Sequence, residues 1–154
     1  MKGKWRFITL LFCLTILMTA CEWGEKQKDH SDQTVETFFT DLWLNRDYEK
    51  AKAMTAKSLS TKELSKEAKK VSDQKWKRIR KVYLMYREMP GGDSDQREYL
   101  LYAIDYERRI RLRMERSSEG WKVTGIDSQQ VKDMDTEEMN RHKWKGRELQ
   151  GEVD

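Results

Sequence analysis

Both cysteines of this 154-residue chain, Cys13 and Cys21, lie within its first 21 residues. Whatever folds beyond Cys21 has no disulfide to rely on, so a hydrophobic core alone must hold it. Charged residues make up 38% of the chain and hydrophobic ones 37%, so that core has to be compact, with polar extensions beside it. The stretch holding the cysteines does not read as part of a domain. Lys2, Lys4 and Arg6 lead into an almost unbroken apolar run from Phe7 to Met18. A run of about a dozen residues suits the apolar region of a secretory signal and is shorter than the roughly 20 needed to span a membrane as a helix. Thr19 and Ala20 are small enough for a cleavage site just before Cys21.

The pentapeptide Leu17-Met18-Thr19-Ala20-Cys21 resembles the lipobox of bacterial lipoproteins, departing from it at Met18, where leucine is usual. That resemblance implies a diacylglyceryl group on the Cys21 sulfur and removal of residues 1–20 as a lipoprotein signal peptide. Each buried methylene contributes about 0.8 kcal/mol, so one acyl chain holds a protein only marginally and two hold it stably. The expectation is an exported protein anchored through Cys21 on the outer face of the bacterial cytoplasmic membrane. Cleavage also changes the charge. The whole chain is formally +4, but Lys2, Lys4 and Arg6 leave with the signal and no acid precedes Cys21, so the mature chain is +1. A near-neutral chain gives no support for a nucleic-acid partner. The 134 remaining residues suffice for one domain.

Residues 21–33 are polar without an apolar period and read as a flexible tether. A domain is expected over 34–128. Val35, Phe38, Phe39 and Leu42 fall on one helical face, and Trp43 widens it. Asp47 can cap a second helix, and Ser60-Thr61-Lys62-Glu63 has capping-box spacing for a third. From Trp76 to Met89 aromatic and branched residues predict a strand whose alternation slips near Val82, where a bulge fits. Pro90-Gly91-Gly92-Asp93-Ser94-Asp95 is a turn containing the single proline. In 98–116, Leu100, Tyr102, Ile104 and Tyr106 alternate, and Ile110, Leu112 and Met114 continue in phase. One long bent strand, or a hairpin with a three-residue loop over Glu107–Arg109, keeps that phase. A turn at Ser117–Gly120 leads to a last strand through Trp121 and Val123. Residues 129–154 are highly charged and read as a tail with a short helix near 136–141, then disorder.

Three helices followed by a curved antiparallel sheet, with Phe38-Phe39, Asp47-Tyr48-Glu49-Lys50-Ala51 and Glu119-Gly120-Trp121-Lys122-Val123, resemble the nuclear transport factor 2-like superfamily over roughly residues 34–127. The resemblance implies an α+β cone, with N-terminal helices packed on a sheet of three to four strands around a cavity. Its members include enzymes, ligand binders and secretion-system scaffolds, so the fold does not choose a function.

Phe38, Trp43, Tyr83, Met85, Tyr102, Tyr106, Met114 and Trp121 are the residues able to line such a cavity, the plainer alternative being that they form the core. Asp105 is the one carboxylate within the apolar run of 100–106, and alternation turns it to solvent. A lone carboxylate with no histidine near it is a poor catalytic set, so no catalytic residue is assigned. Arg109, Arg111 and Arg113 should share the outward strand face, either contacting anionic groups or neutralised by Asp105, Glu107 and Glu115. His30 and His142 stand apart and outside the domain, so no metal ligands are expected, nor any cofactor. The sequence thus predicts a non-enzymatic binding or interaction module, with an unknown protein or an apolar ligand as partner. The alternatives are an enzyme of the same fold using a carboxylate in the cone, or a scaffold or exclusion component of a conjugation or secretion system.

Overall fold

The structure, a computed structural model, describes residues 30–132 and 136–152. Cys21, the signal and most of the tether lie outside the described residues. The first helix, α1 (Ser31–Phe39), continues through a π-helical turn, Thr40–Asn45, and ends on Arg46 at φ 55°. The wider π turn brings four consecutive residues, Asp41 to Leu44, into the interior. α1 starts three residues before the expected domain boundary, with Ser31 buried. Asp47 caps α2 (Tyr48–Ala53), its side chain accepting from Lys50 N. Ser60 and Glu63 form a complete capping box on α3 (Thr61–Ala68).

Residues 73–78 are helical, not extended. Ser72 caps α4 (Asp73–Arg78) by accepting from Lys75 N at 3.2 Å. β1 therefore runs only over Lys81–Glu88. It alternates without a slip, placing Val82, Leu84 and Tyr86 in the core. The predicted turn follows, with Asp93 Oδ1 accepting from Asp95 N and Gln96 N. Next come β2 (Gln96–Ala103), β3 (Arg108–Ser117) and β4 (Gly120–Gln130). The bulge lies between β3 and β4, at Arg113/Met114.

Segment 98–116 is a hairpin, and neither expected register is correct. Ala103 pairs with Arg108, and residues 104–107 form the connection, a 3-10 turn closed by Glu107 at φ 53°. A non-glycine residue there is held by Tyr106, which is 3% exposed and whose hydroxyl donates to Ile79 O at 2.9 Å. The core face of β2 is Tyr99, Leu101 and Ala103, opposite Leu112, Ile110 and Arg108. Leu100 and Tyr102 point the other way, and Ile104 is exposed at 43%.

The C-terminal segment is part of the fold. α5 (Thr136–Arg141) stands where a short helix was expected, but β5 (Lys145–Gln150) then pairs antiparallel with β1. The result is a five-stranded antiparallel sheet in the order β4-β3-β2-β1-β5, not one of three to four strands. The helices α1–α3 cover one face. At the β4 edge, Thr55 bridges Val123 in parallel.

Candidate functional site

Cys21 is outside the described residues. The described chain begins at His30, nine residues further on. The residues expected around a cavity divide among three places. Phe38, Trp43, Tyr106 and Met114 belong to the core between helices and sheet, all at 3% exposure or less. There Trp43 stacks on Phe39 at 5.2 Å and meets Phe38 edge-on at 6.2 Å, which fills the space a ligand would need. Tyr83, Met85 and Tyr102 lie on the opposite, outer face of the sheet. Tyr83 is 46% exposed and lies across Gly146, where a side chain would collide with its hydroxyl. Trp121 lines a groove at one end of the molecule.

That groove, about 490 Å³, lies between the start of α1 and the β3–β4 turn, bordered by His30, Thr34, Thr37, Met54, Trp121 and Lys122. Gly120 at φ 111° makes the turn, and the Arg97 guanidinium stands 4.9 Å over the Trp121 ring. His142 lines a different hollow, near the Pro90–Gly92 turn. Among the described residues no group of three or more His, Cys, Asp or Glu is placed to hold a metal ion.

A polar seam joins the start of α1 to the sheet, and sequence reasoning missed it. The Ser31 and Tyr99 hydroxyls are 2.7 Å apart, Tyr99 Oη donates to Asp32 Oδ1 at 2.9 Å, and Arg97 donates to Ser31 Oγ at 3.0 Å. One turn along α1, Tyr86 Oη donates to Glu36, while Lys145 and Arg147 of β5 pair with Asp32 and Glu36. Burial, reinforced by the neighbouring carboxylates, holds both phenols well above their ordinary range. They stay neutral donors at physiological pH and bind α1 to the sheet. The available signal was Asp32 and Glu36 at i, i+4, but it fell partly in a stretch that reads as tether.

The outer face carries Arg109, Arg111 and Arg113 in a row, as alternation required. Arg111 pairs with Glu98 at 3.4 Å, Arg109 donates to Gln129 at 2.7 Å, and Asp127 stands opposite Arg111. Of the three, Arg111 alone has a carboxylate within ion-pair distance among the described residues. Asp105 is exposed, and its Oδ2 accepts from Tyr83 N at 2.9 Å, closing the β2–β3 connection onto β1. Arg87 is 8% exposed, with Glu138 of α5 at 3.4 Å and the Trp144 ring at 5.2 Å. Glu138 also accepts from Tyr102 Oη at 2.8 Å, so α5 and Trp144 cover this part of the sheet. Among the described residues Asp41 is the one buried carboxylate, 8% exposed; burial raises its pKa against a weaker, lowering hydrogen bond from Asn45.

Among the described residues no helix is long and apolar enough to cross a membrane. No protein-family model matches this chain, nor does any curated protein or solved structure.

Proposed function

We propose that this chain is a lipid-anchored cell-envelope protein whose folded part, a nuclear transport factor 2-like domain, acts as a non-enzymatic binding or interaction module. The lipobox-like run ending in Cys21 supports the anchor. The order of helices before an antiparallel sheet supports the family. The observation that carries the functional reading is the filled interior. Phe38, Phe39, Leu42, Trp43, Tyr99 and Leu101, each at 1% exposure or less, occupy the layer between helices and sheet. Partners are then met on the outside, at surfaces such as the Trp121 groove.

The anchor is tested with Cys21→Ala in the full chain. Fatty-acid labelling should be lost, and the protein should leave the membrane fraction. Retention of an unprocessed, unlabelled precursor in the membrane would instead make residues 7–18 part of a helical anchor and overturn the lipid reading.

A further inference from the structure

The near-neutral mature chain conceals a strong segregation of charge. Between Lys57 and Lys81 there are ten cations and three acids, a net +7 in a chain whose total is +4. This stretch forms α3, α4 and the loops around them. On α3, Leu64 and Ala68 face the core, while Lys62, Lys66 and Lys69 recur at i, i+4 and i+7 and form one stripe on the opposite side. Lys57 before α3 and Lys77 and Arg78 on α4 add to the positive charge, and all six are exposed. Three nearby lysines are committed elsewhere: Lys70 to Glu67 at 2.7 Å, Lys75 to Glu107 at 3.1 Å and Lys81 to Glu148 at 2.7 Å. These six residues have no carboxylate within ion-pair distance among the described residues. Of the outer-face arginines, by contrast, Arg111 is paired with Glu98 and Arg109 is held by Gln129 within the sheet.

The patch also has a place. His30, where the described chain begins, borders a groove with Ser117–Lys122 at the C-terminal end of β3. At the other end of β3, Arg108 donates to Lys70 O, just beyond α3. Ten residues of strand separate these ends by about 30 Å. The nine residues from Cys21 to His30 span at most about 30 Å when fully extended. With the lipid at Cys21, the domain is tethered to the bilayer at its His30 end, and the C-terminal end of α3 lies at the other end of β3.

We propose that the cationic face of α3 and α4 docks a linear polyanion of the cell envelope, a polymer with repeated phosphate or carboxylate groups. That the polymer belongs to the cell envelope rests on the lipid-anchor reading above; the binding itself does not. A flexible polymer can follow the lysine stripe along α3, and releases counterions as it does so, which makes the affinity fall steeply with salt.

The test uses the chain from residue 22 onward, which keeps the whole core, since the buried cluster starts at Val35. Binding to inorganic polyphosphate is measured by calorimetry at two salt concentrations. Two triple variants of equal net charge are compared: Lys62→Gln/Lys66→Gln/Lys69→Gln and Arg109→Gln/Arg111→Gln/Arg113→Gln. The lysine variant should lose at least about tenfold in affinity with a shallower salt dependence, and the arginine variant should change less than about twofold. Equal losses in both would reduce the effect to net charge and overturn the proposal. So would absence of binding at low salt. Tighter, lysine-dependent binding to phosphatidylglycerol vesicles than to polyphosphate would assign the face to the bilayer and overturn it as well. Labelling of Cys21 is read separately, so the anchor and the polyanion site can fail independently.

Discussion

Asp41 shows how a single residue records the cost of its surroundings. It lies in the π-helical turn between buried Phe39 and Leu42, with Asn45 Nδ2 at 3.4 Å as a weak donor. Burial raises its pKa above the ordinary 3.8, so the native state holds this proton more tightly than the unfolded chain does. Its contribution to stability is complete below 3.8 and is lost as pH rises through the native value. At neutral pH a buried charge remains, and Asp41→Asn should remove that cost. The urea midpoint of the variant is expected to exceed wild type at pH 7, with the difference closing below about pH 3.8. An equal or lower midpoint at pH 7 would refute this account. Nearby, Trp76 shows the opposite economy. Its Nε1 donates to Leu44 O at 2.9 Å, and the guanidiniums of Arg46 and Arg80 lie over its ring at 4.4 and 4.7 Å. Few interactions of Trp76 were visible in the sequence, because Leu44 is 32 residues away.

At the scale of elements, signals confined to a few neighbours were readable and those needing a second surface were not. The capping box of α3 is local: Glu63 N donates to Ser60 Oγ at 3.2 Å and Ser60 N to Glu63 Oε2 at 2.7 Å. Ser60→Ala should cost about 1 kcal/mol, read by chemical denaturation. Adding Glu63→Ala should cost less than the two single losses combined, because they share one motif; full additivity would argue against the box. The turns at 90–95 and 117–120 were legible for the same reason, since Gly91 and Gly120 adopt φ 104° and 111°. β2 was misread because Tyr99 to Ala103 are all buried. When both faces of a strand are covered, alternation no longer tells which one meets the helices. The helical character of 73–78 was missed because Trp76 and Ile79 resemble strand residues, whereas the Ser72 cap decides in favour of a helix.

For the whole molecule, the decisive feature is the return of the chain to the β1 edge. From β4 it crosses to the far side of the sheet, and β5 completes the order β4-β3-β2-β1-β5. Leu149 pairs with Val82 and packs on the core, Gly151 N donates to Arg80 O at 2.9 Å, and Glu152 N donates to Asn45 Oδ1 at 2.8 Å. Ending the chain at Lys143 should therefore expose the edge of β1 and remove the cover of Trp144 from Arg87 and Tyr102. We expect a loss of at least about 2 kcal/mol in denaturant unfolding, with increased binding of an apolar dye. An unchanged unfolding curve would show that β5 is dispensable. A strand in this segment was not readable because its pattern is nearly all polar: only Leu149 of Lys145–Gln150 is even half-buried.

The sequence by itself determined the α+β order of elements, the helix caps and the glycine turns. Each depends on residues within about four positions of one another. Only the tertiary structure decided which face of β2 is interior, that β5 joins the sheet, that the start of α1 is bound through tyrosines of β1 and β2, and that Lys62, Lys66 and Lys69 stay exposed on α3. All of these follow from contacts between residues far apart in the chain, where burial, edge pairing and the placement of charge are settled by the partner surface and not by the local pattern.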